Sequence, residues 1–484
     1  MFRSRLGKSR EFLSPRKWFW RWVRTKKAFS NPYLLLATSF LAAIVVGAQL
    51  LATPWATTAG RLSRTDSWFA ATSAVCVTGL TVKSTGQDFT FWGQLVILVL
   101  IQFGGIGFMT LSTMVFLGLR QRASLYEQSY LRDYYGADTS QNLPAMTRRV
   151  VLYIAWFEAC AAALLFVRFL FGKPQSLGWL AHLGRSLWAA IFHSISAFCN
   201  AGFSLWDDSL VRYSGDWLVN GVIMALIVGG GLGFFVLADL HAAVVAWRQG
   251  ARARLRFQTR VILSLTVLLI VCGALLLGGL ECANPETLAG RPWHGRILPC
   301  LFQSVTARTA GFNTVDLNKL APASLLLIMA LMFIGAAPGG TGGGVKVTTF
   351  GVLVAQVLWV FRPHREPTVM GRSFSRTTVR NAVALAVCAF GLIALAVAVL
   401  LALEQGGPRH QTRGAFLDLL FEAVSAFGTV GLSLGITPLL SAAGKWVLMA
   451  VMFLGRIGPL GLFAAALARE RYEVQYPSET LNIG

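Results

Sequence analysis

The chain has 484 residues, 55% of them hydrophobic and only 13% charged, with a mean hydropathy of +0.59, whereas a soluble domain carries roughly a quarter charged residues. A soluble globular enzyme is excluded, and the long apolar runs define a polytopic membrane protein. The formal charge of +22 would suggest nucleic acid in a soluble protein. Here the basic residues sit in short segments between apolar runs, as the cytoplasmic excess that sets orientation, and no nucleic-acid partner is expected.

Residues 1–31 hold ten basic residues, from Arg3 to Lys27, against the single acid Glu11, with no apolar stretch fit for a signal peptide. A cytoplasmic head is predicted, with Trp18, Phe19, Trp20 and Trp22 placed to lie on anionic headgroups of the bilayer. A span needs about 20 largely apolar residues. Eight segments qualify: 32–53, 91–118, 146–171, 216–246, 258–281, 321–361, 377–404 and 441–468. An even number puts the tail, 469–484, in the cytoplasm too. The connections 119–149, 247–260 and 362–380 each carry five Lys or Arg and fall on that same side.

Between alternate spans lies a short apolar stretch ending in a small-residue turn. In chain order the turns are Ser73-Ala-Val-Cys-Val-Thr-Gly79, Ser196-Ala-Phe-Cys-Asn-Ala-Gly202, Val305-Thr-Ala-Arg-Thr-Ala-Gly311 and Ser425-Ala-Phe-Gly-Thr-Val-Gly431. Each glycine precedes Leu or Phe and then Thr, Ser or Asn, at separations of 123, 109 and 120 residues. One such turn reads as an ordinary joint between helices. Four aligned copies read as an internal repeat of span, half-helix, turn and span. The units are 32–118, 146–246, 258–361 and 377–468.

Non-helical backbone at membrane depth leaves carbonyls that lipid cannot satisfy, so it must be buried in protein or line a water-filled path. Four such turns around a pseudo-fourfold axis would offer rings of backbone oxygens that replace the hydration shell of a monovalent cation. The candidate filter is Val77, Thr78 and Gly79; Asn200, Ala201 and Gly202; Thr309, Ala310 and Gly311; and Thr429, Val430 and Gly431. None is acidic, which argues against a divalent-cation pore. Within the spans, Glu158 and Asp239 read as capped or interfacial residues rather than proton carriers. Asp66, Asp88, Asp207, Asp208, Asp216, Asp316, Asp418 and Glu422 lie on the turn side, where they either concentrate cations or form an ordinary solvated face. The seven cysteines and six histidines lack metal spacing, so a monovalent cation on filter backbone is the only metal contact expected. Cys282 and Cys300 alone could face an oxidising compartment together, and a disulfide between them is not favoured.

The sixth span is interrupted by Gly335-Ala-Ala-Pro-Gly-Gly-Thr-Gly-Gly-Gly344 and then Lys346, which cannot stay a regular helix. It reads either as an intramembrane loop or as a packing seam. Arg456 lies in an apolar run, where an isolated cation costs at least ~2.5 kcal/mol, so it needs a partner or must snorkel to the interface.

These four units, the turns at Gly79, Gly202, Gly311 and Gly431, and the stretch Ser304-Val-Thr-Ala-Arg-Thr-Ala-Gly-Phe-Asn313 resemble the Trk/Ktr/HKT superfamily over roughly residues 32–470. The chain is most similar to its Ktr-type membrane subunit, since the head has no room for the extra spans of the Trk type. The resemblance implies an all-α integral membrane protein of eight spans and four pore helices, taking up K+ across a bacterial inner membrane. Pro338, Gly339, Gly340, Thr341, Gly342, Gly343, Gly344 and Lys346 would form a gate below the filter, with Arg456 as a fixed charge on the pore or the gate. It also implies a homodimer and a cytoplasmic ring that binds nucleotide on another chain (KtrA-like), because this chain shows no Walker loop and no βαβ pattern. Arg308 departs from the aligned Cys76, Cys199 and Gly428, and is expected to point behind the filter towards an acid. Gly79, where a serine goes with Na+ selectivity in the family, favours K+ over a Na+ or mixed transporter. A membrane-embedded scaffold or enzyme is the reading from another class, and the convergent catalytic groups it would need are not found.

Overall fold

The computed structural model describes residues 32–118, 143–172, 178–251, 254–290, 292–361, 368–370, 372–404 and 414–458. The basic head, the tail 469–484, the end of the eighth apolar segment and most of the connection 119–149 lie outside the described residues.

The helices follow one another in four groups along the chain. The first is α1 (Pro32–Leu51), α2 (Arg64–Val75) and α3 (Phe91–Gly118). The second is α4 (Leu143–Leu170), α5 (Trp179–Phe198), α6 (Trp217–Leu232) and α7 (Phe234–Arg248). The third is α8 (Phe257–Glu281), α9 (Trp293–Thr306), α10 (Pro322–Phe333) and α11 (Val347–Val360). The fourth is α12 (Arg376–Leu403), α13 (Ala415–Gly428) and α14 (Ala442–Ile457). Among the described residues the only strands are the short pair β1 (Thr368–Val369) and β2 (Arg372–Ser373).

Val151–Leu170, Phe257–Glu281 and Arg376–Leu403 are each long and apolar enough to cross a membrane alone. The segment 216–246, read from sequence as one span, is instead bent by 104° between α6 and α7. The break falls at Gly233, whose φ of 78° no helical residue adopts. Leu275, Phe390 and Trp156, each more than 60% exposed, leave the long helices apolar outside as well as inside. Lipid, not water, suits such a surface.

Within each group the end of the first helix is tied to the start of the helix that follows the turn: α3, α6, α10 or α14. Thr90 donates to Trp55 O at 2.6 Å beside α3. Arg168 donates to Asp216, which caps α6 through the amides of Leu218 and Val219. Glu281 accepts from the amide of Ala321 at 2.9 Å and the hydroxyl of Ser324 at 2.5 Å. Glu404 accepts from the amide and hydroxyl of Ser441 at 3.0 and 2.6 Å. A carboxylate there satisfies donors that the first helical turn leaves open and complements the helix dipole. Between groups, the helix that follows the turn in one packs on the helix that leads into the turn (the short helix of the repeat) in the next: α3 on α5, α6 on α9, α10 on α13, and α14 back on α2.

Candidate functional site

Each short helix buries a phenylalanine, Phe69, Phe192, Phe302 or Phe421, and four residues later a hydroxyl, Ser73, Ser196, Thr306 or Ser425. One helical turn puts both on the same buried face. The carbonyl of that hydroxyl residue then accepts the amide of the residue before the repeated glycine: Thr78 to Ser73 and Ala201 to Ser196 at 2.8 Å, Ala310 to Thr306 and Val430 to Ser425 at 2.9 Å. The intervening residue is left-handed in every turn, with φ of 56° at Val77, 59° at Asn200, 76° at Thr309 and 49° at Thr429. Each repeated glycine is at positive φ as well.

The four glycines close on one another. A side chain on Gly79 would strike the carbonyl of Ala201, one on Gly311 that of Val430, and one on Gly431 that of Thr78. On Gly202 a Cβ would lie 2.9 Å from Ala310 O and 3.0 Å from Gly311 Cα. The chain order 79, 202, 311, 431 and back to 79 is a closed ring of backbone in which the twelve sequence-predicted turn residues come together. All four penultimate carbonyls belong to fully buried residues. Such a ring offers neutral oxygens without a carboxylate, chemistry suited to a monovalent cation.

The third turn is one residue shorter than the others between hydroxyl and glycine: the Ala310 to Thr306 bond spans four residues, its counterparts five. Arg308 stands at this shortening. It is 8% exposed, its Nε lacks a partner and no ion pair among the described residues includes it. Among the described residues no acid meets it as expected.

The interrupted sixth span leaves α10 at Phe333 and resumes as α11 at Val347, with the intervening loop folded against the ring. Gly343 donates to Thr429 Oγ1 at 3.0 Å, and Gly342 packs on Thr309 Oγ1 with no room for a Cβ. Thr341 donates through Oγ1 to Phe198 O at 3.2 Å and through its amide to Gly230 O at 3.1 Å. The Ala337 amide bonds to Gly231 O at 3.0 Å, and Gly233, at the break of α6 and α7, abuts Gly339 and Gly340. Lys346 donates to Gly342 O at 2.6 Å. Arg456 donates to Thr341 O and, at 2.6 Å, to Gly104 O. It does not snorkel. The loop, Lys346 and Arg456 thus form one assembly touching the second, third and fourth turns.

The turn-side acids are largely occupied. Asp66 pairs with Lys445, Asp208 with Arg212, and Asp216 with Arg168. Asp316 caps a short 3-10 turn, and Glu422 is fully buried, accepting from Ser433, Leu434 and Thr437. Asp207 accepts from Ser84 and Gln87. Asp88 accepts the Ser84 amide at 2.8 Å. Glu158 is not a helix cap: it is 8% exposed inside α4 and accepts from Gln102 of α3 at 3.0 and 3.1 Å. Asp239 accepts the Arg256 amide at 3.0 Å. Cys282 and Cys300 are both free thiols. Among the described residues no cluster of His, Cys, Asp and Glu could hold a metal ion.

Two groups escaped the sequence reading. The buried hydroxyls were signalled by the recurrent Phe, three residues, Ser or Thr, then Ala, which also marks the shortened third turn. The glycines Gly104, Gly230 and Gly455 let α3, α6 and α14 touch carbonyls at the C-terminal ends of their own short helices, at Val75, Phe198 and Phe427. Their repetition as Gly-Gly, Gly-Gly and Gly-Arg was the available signal.

Residues 11–473 match the family model described as TrkH, cation transport protein. The chain is 38% identical to Ktr system potassium uptake protein B of Vibrio alginolyticus, over 95% of this chain and 96% of that one. It is 37% identical to the protein of the same name from Bacillus subtilis, over 94% and 96%. It is 33% identical to the potassium/sodium uptake protein NtpJ of Enterococcus hirae, over 95% and 99%. The crystal structure of the potassium transporter TrkH from Vibrio parahaemolyticus superposes with a TM-score of 0.68 at 19% identity, covering 92% of this chain and 86% of that one. The chain belongs to the TrkH family of cation transport proteins, the Trk and Ktr potassium uptake transporters, and is a membrane transporter rather than an enzyme.

Proposed function

We propose that the chain is the pore subunit of a K+ uptake system, with K+ passing through the ring formed by Val77 to Gly79, Asn200 to Gly202, Thr309 to Gly311 and Thr429 to Gly431. The observation that carries this reading is the closure of the four glycines on each other's preceding carbonyls. Four units, 32–118, 146–246, 258–361 and 377–468, would surround a pseudo-fourfold axis and cross the membrane eight times. Flow is down the electrochemical gradient, and the short helices aim their carbonyl ends at the ion.

The loop Pro338 to Gly344 is the gate. Its contacts with Thr309 and Thr429 support this reading: an ion leaving the ring would meet the loop, and Lys346 and Arg456 would add positive charge there. The subunit works as a homodimer in the bacterial plasma membrane with both termini cytoplasmic. Nucleotide acts on it only through a separate cytoplasmic ring. The printed name of the Enterococcus relative favours a second reading, a transporter that also takes Na+; Gly79 in the first turn supports K+. Expression in a K+-uptake-deficient bacterium, with and without the ring subunit, tests the proposal. Growth at low K+ that depends on this chain is expected, and rescue only in high Na+ would favour the second reading.

A further inference from the structure

The four buried hydroxyls behind the turns do not make the same bond. Ser73 Oγ accepts the amide of Gly79 and Ser425 Oγ accepts the amide of Gly431, each at 3.1 Å. Ser196 Oγ instead donates to the carbonyl of Phe203 at 2.8 Å, and Thr306 Oγ1 donates to the carbonyl of Phe312 at 2.6 Å. Phe203 and Phe312 are the residues just after the repeated glycines, and their counterparts in the other turns are Leu80 and Leu432. Among the described residues no hydrogen bond to the carbonyl of Leu80 or Leu432 is present. All four hydroxyl residues are inaccessible to solvent, so a carbonyl that bonds to one of them is turned back into the protein.

Resting on the filter reading above, we propose that Ser196 and Thr306 are positioning residues for selectivity: by holding the Phe203 and Phe312 carbonyls behind the turns, they leave the outermost oxygen ring to Leu80 and Leu432 alone. The site next to the repeated glycines is then two-sided, while the ring of Thr78, Ala201, Ala310 and Val430 carbonyls is four-sided. Selectivity between K+ and Na+ depends on how many carbonyl dipoles surround the ion and on their field. With only two carbonyls in its outer ring, that site must complete its shell with water on the outer side, and so holds K+ more loosely and passes it inward. Ser73 and Ser425 have a different task. They satisfy buried glycine amides that would otherwise be left unpaired, and release no carbonyl when removed.

The test is Rb+ uptake and its inhibition by Na+ in proteoliposomes of full-length protein, per molecule of monodisperse protein. In Ser196→Ala with Thr306→Val, the freed carbonyls turn to the ion. The Rb+ concentration for half-maximal uptake is expected to fall by about threefold or more, with Na+ inhibition changing in step. Ser196→Thr with Thr306→Ser keeps both hydroxyls and should restore the parent values, while Ser73→Ala and Ser425→Ala should lower the rate without that gain in affinity. Thr306→Val alone, isosteric with the parent, serves if the double variant is not monodisperse. Unchanged affinity and Na+ inhibition in the hydroxyl-free protein, or an equal change in the hydroxyl-keeping one, would overturn the inference. Gly311→Ser, measured alongside, separates the two levels: if it leaves selectivity intact the filter reading itself falls, and if it alone alters selectivity only the hydroxyl assignment falls.

Discussion

Lys445 Nζ lies 2.9 Å from Asp66 Oδ1 across 379 residues of sequence, joining the last helix of the fourth group to the start of the first short helix. Both side chains are nearly buried, 13% and 14% exposed, and Asp66 also sits in the first turn of α2, where the helix dipole favours its charge. The pair is the covalently unconnected seam of the ring, the place where the groups meet without a linker.

Removing either partner strands the other, at about 3 kcal/mol for a buried pair. Asp66→Asn should cost more than Lys445→Met, because Asp66 keeps the helix terminus as a partner and Lys445 keeps none of comparable strength. Thermal unfolding of the two single variants and the double in detergent measures this. Equal losses that simply add in the double variant would show that the two residues do not act together.

Arg456 bonds to Thr341 O in the loop and to Gly104 O in α3, so it staples the loop to the first group. If the loop is the gate, Arg456→Ala should raise ion flux in the absence of the ring subunit, both by freeing the loop and by removing a nearby positive charge. Arg456→Lys offers a point charge in place of a planar fork and cannot reproduce both bonds at their present geometry, so it should fall between the parent and the alanine variant. Loss of monodisperse protein with no gain in flux per folded molecule would make the arginine a packing element.

Shortening residues 336–344 removes the bonds to Gly230, Gly231 and Thr429 together. If the loop is the gate, the shortened chain conducts without the ring subunit, since a partner can shift a two-state element only by its differential affinity for the two states. Flux measured with and without the ring should converge in the deletion. A folded but silent protein, or one as dependent on the ring as the parent, assigns the loop to structure.

The fold was legible where the pattern was long. Apolar runs of twenty residues or more and a turn repeated four times fixed the helices and the residues that meet at the ring. The break after α6 was not, because Gly233 lies in a glycine run that an uninterrupted apolar span also tolerates; only its packing on Gly339 and Gly340 requires the bend. Arg308 was misjudged for a different reason. Aligning the turns on their glycines hid the missing residue, and its surroundings depend on helices far away in sequence. The acids at the turn side left two readings open in the sequence, a cation-attracting mouth and a solvated face, yet Asp66, Asp216 and Glu422 are consumed in ion pairs, caps and buried hydrogen bonds, which no spacing reveals.

The most direct test of the central claim, that the ion passes through the ring of glycine turns, is Rb+ uptake with Na+ competition in proteoliposomes carrying serine in turn at Gly79, Gly202, Gly311 and Gly431. Every one of these positions combines positive φ with a neighbouring carbonyl or Cα in the space a side chain would take, so each substitution must move oxygens of the adjacent turn as well as its own. The account predicts that all four variants, monodisperse and inserted, lose preference for Rb+ over Na+ by about tenfold, the size of a ~1.4 kcal/mol change in relative coordination. Four folded variants with the parent's selectivity would contradict it.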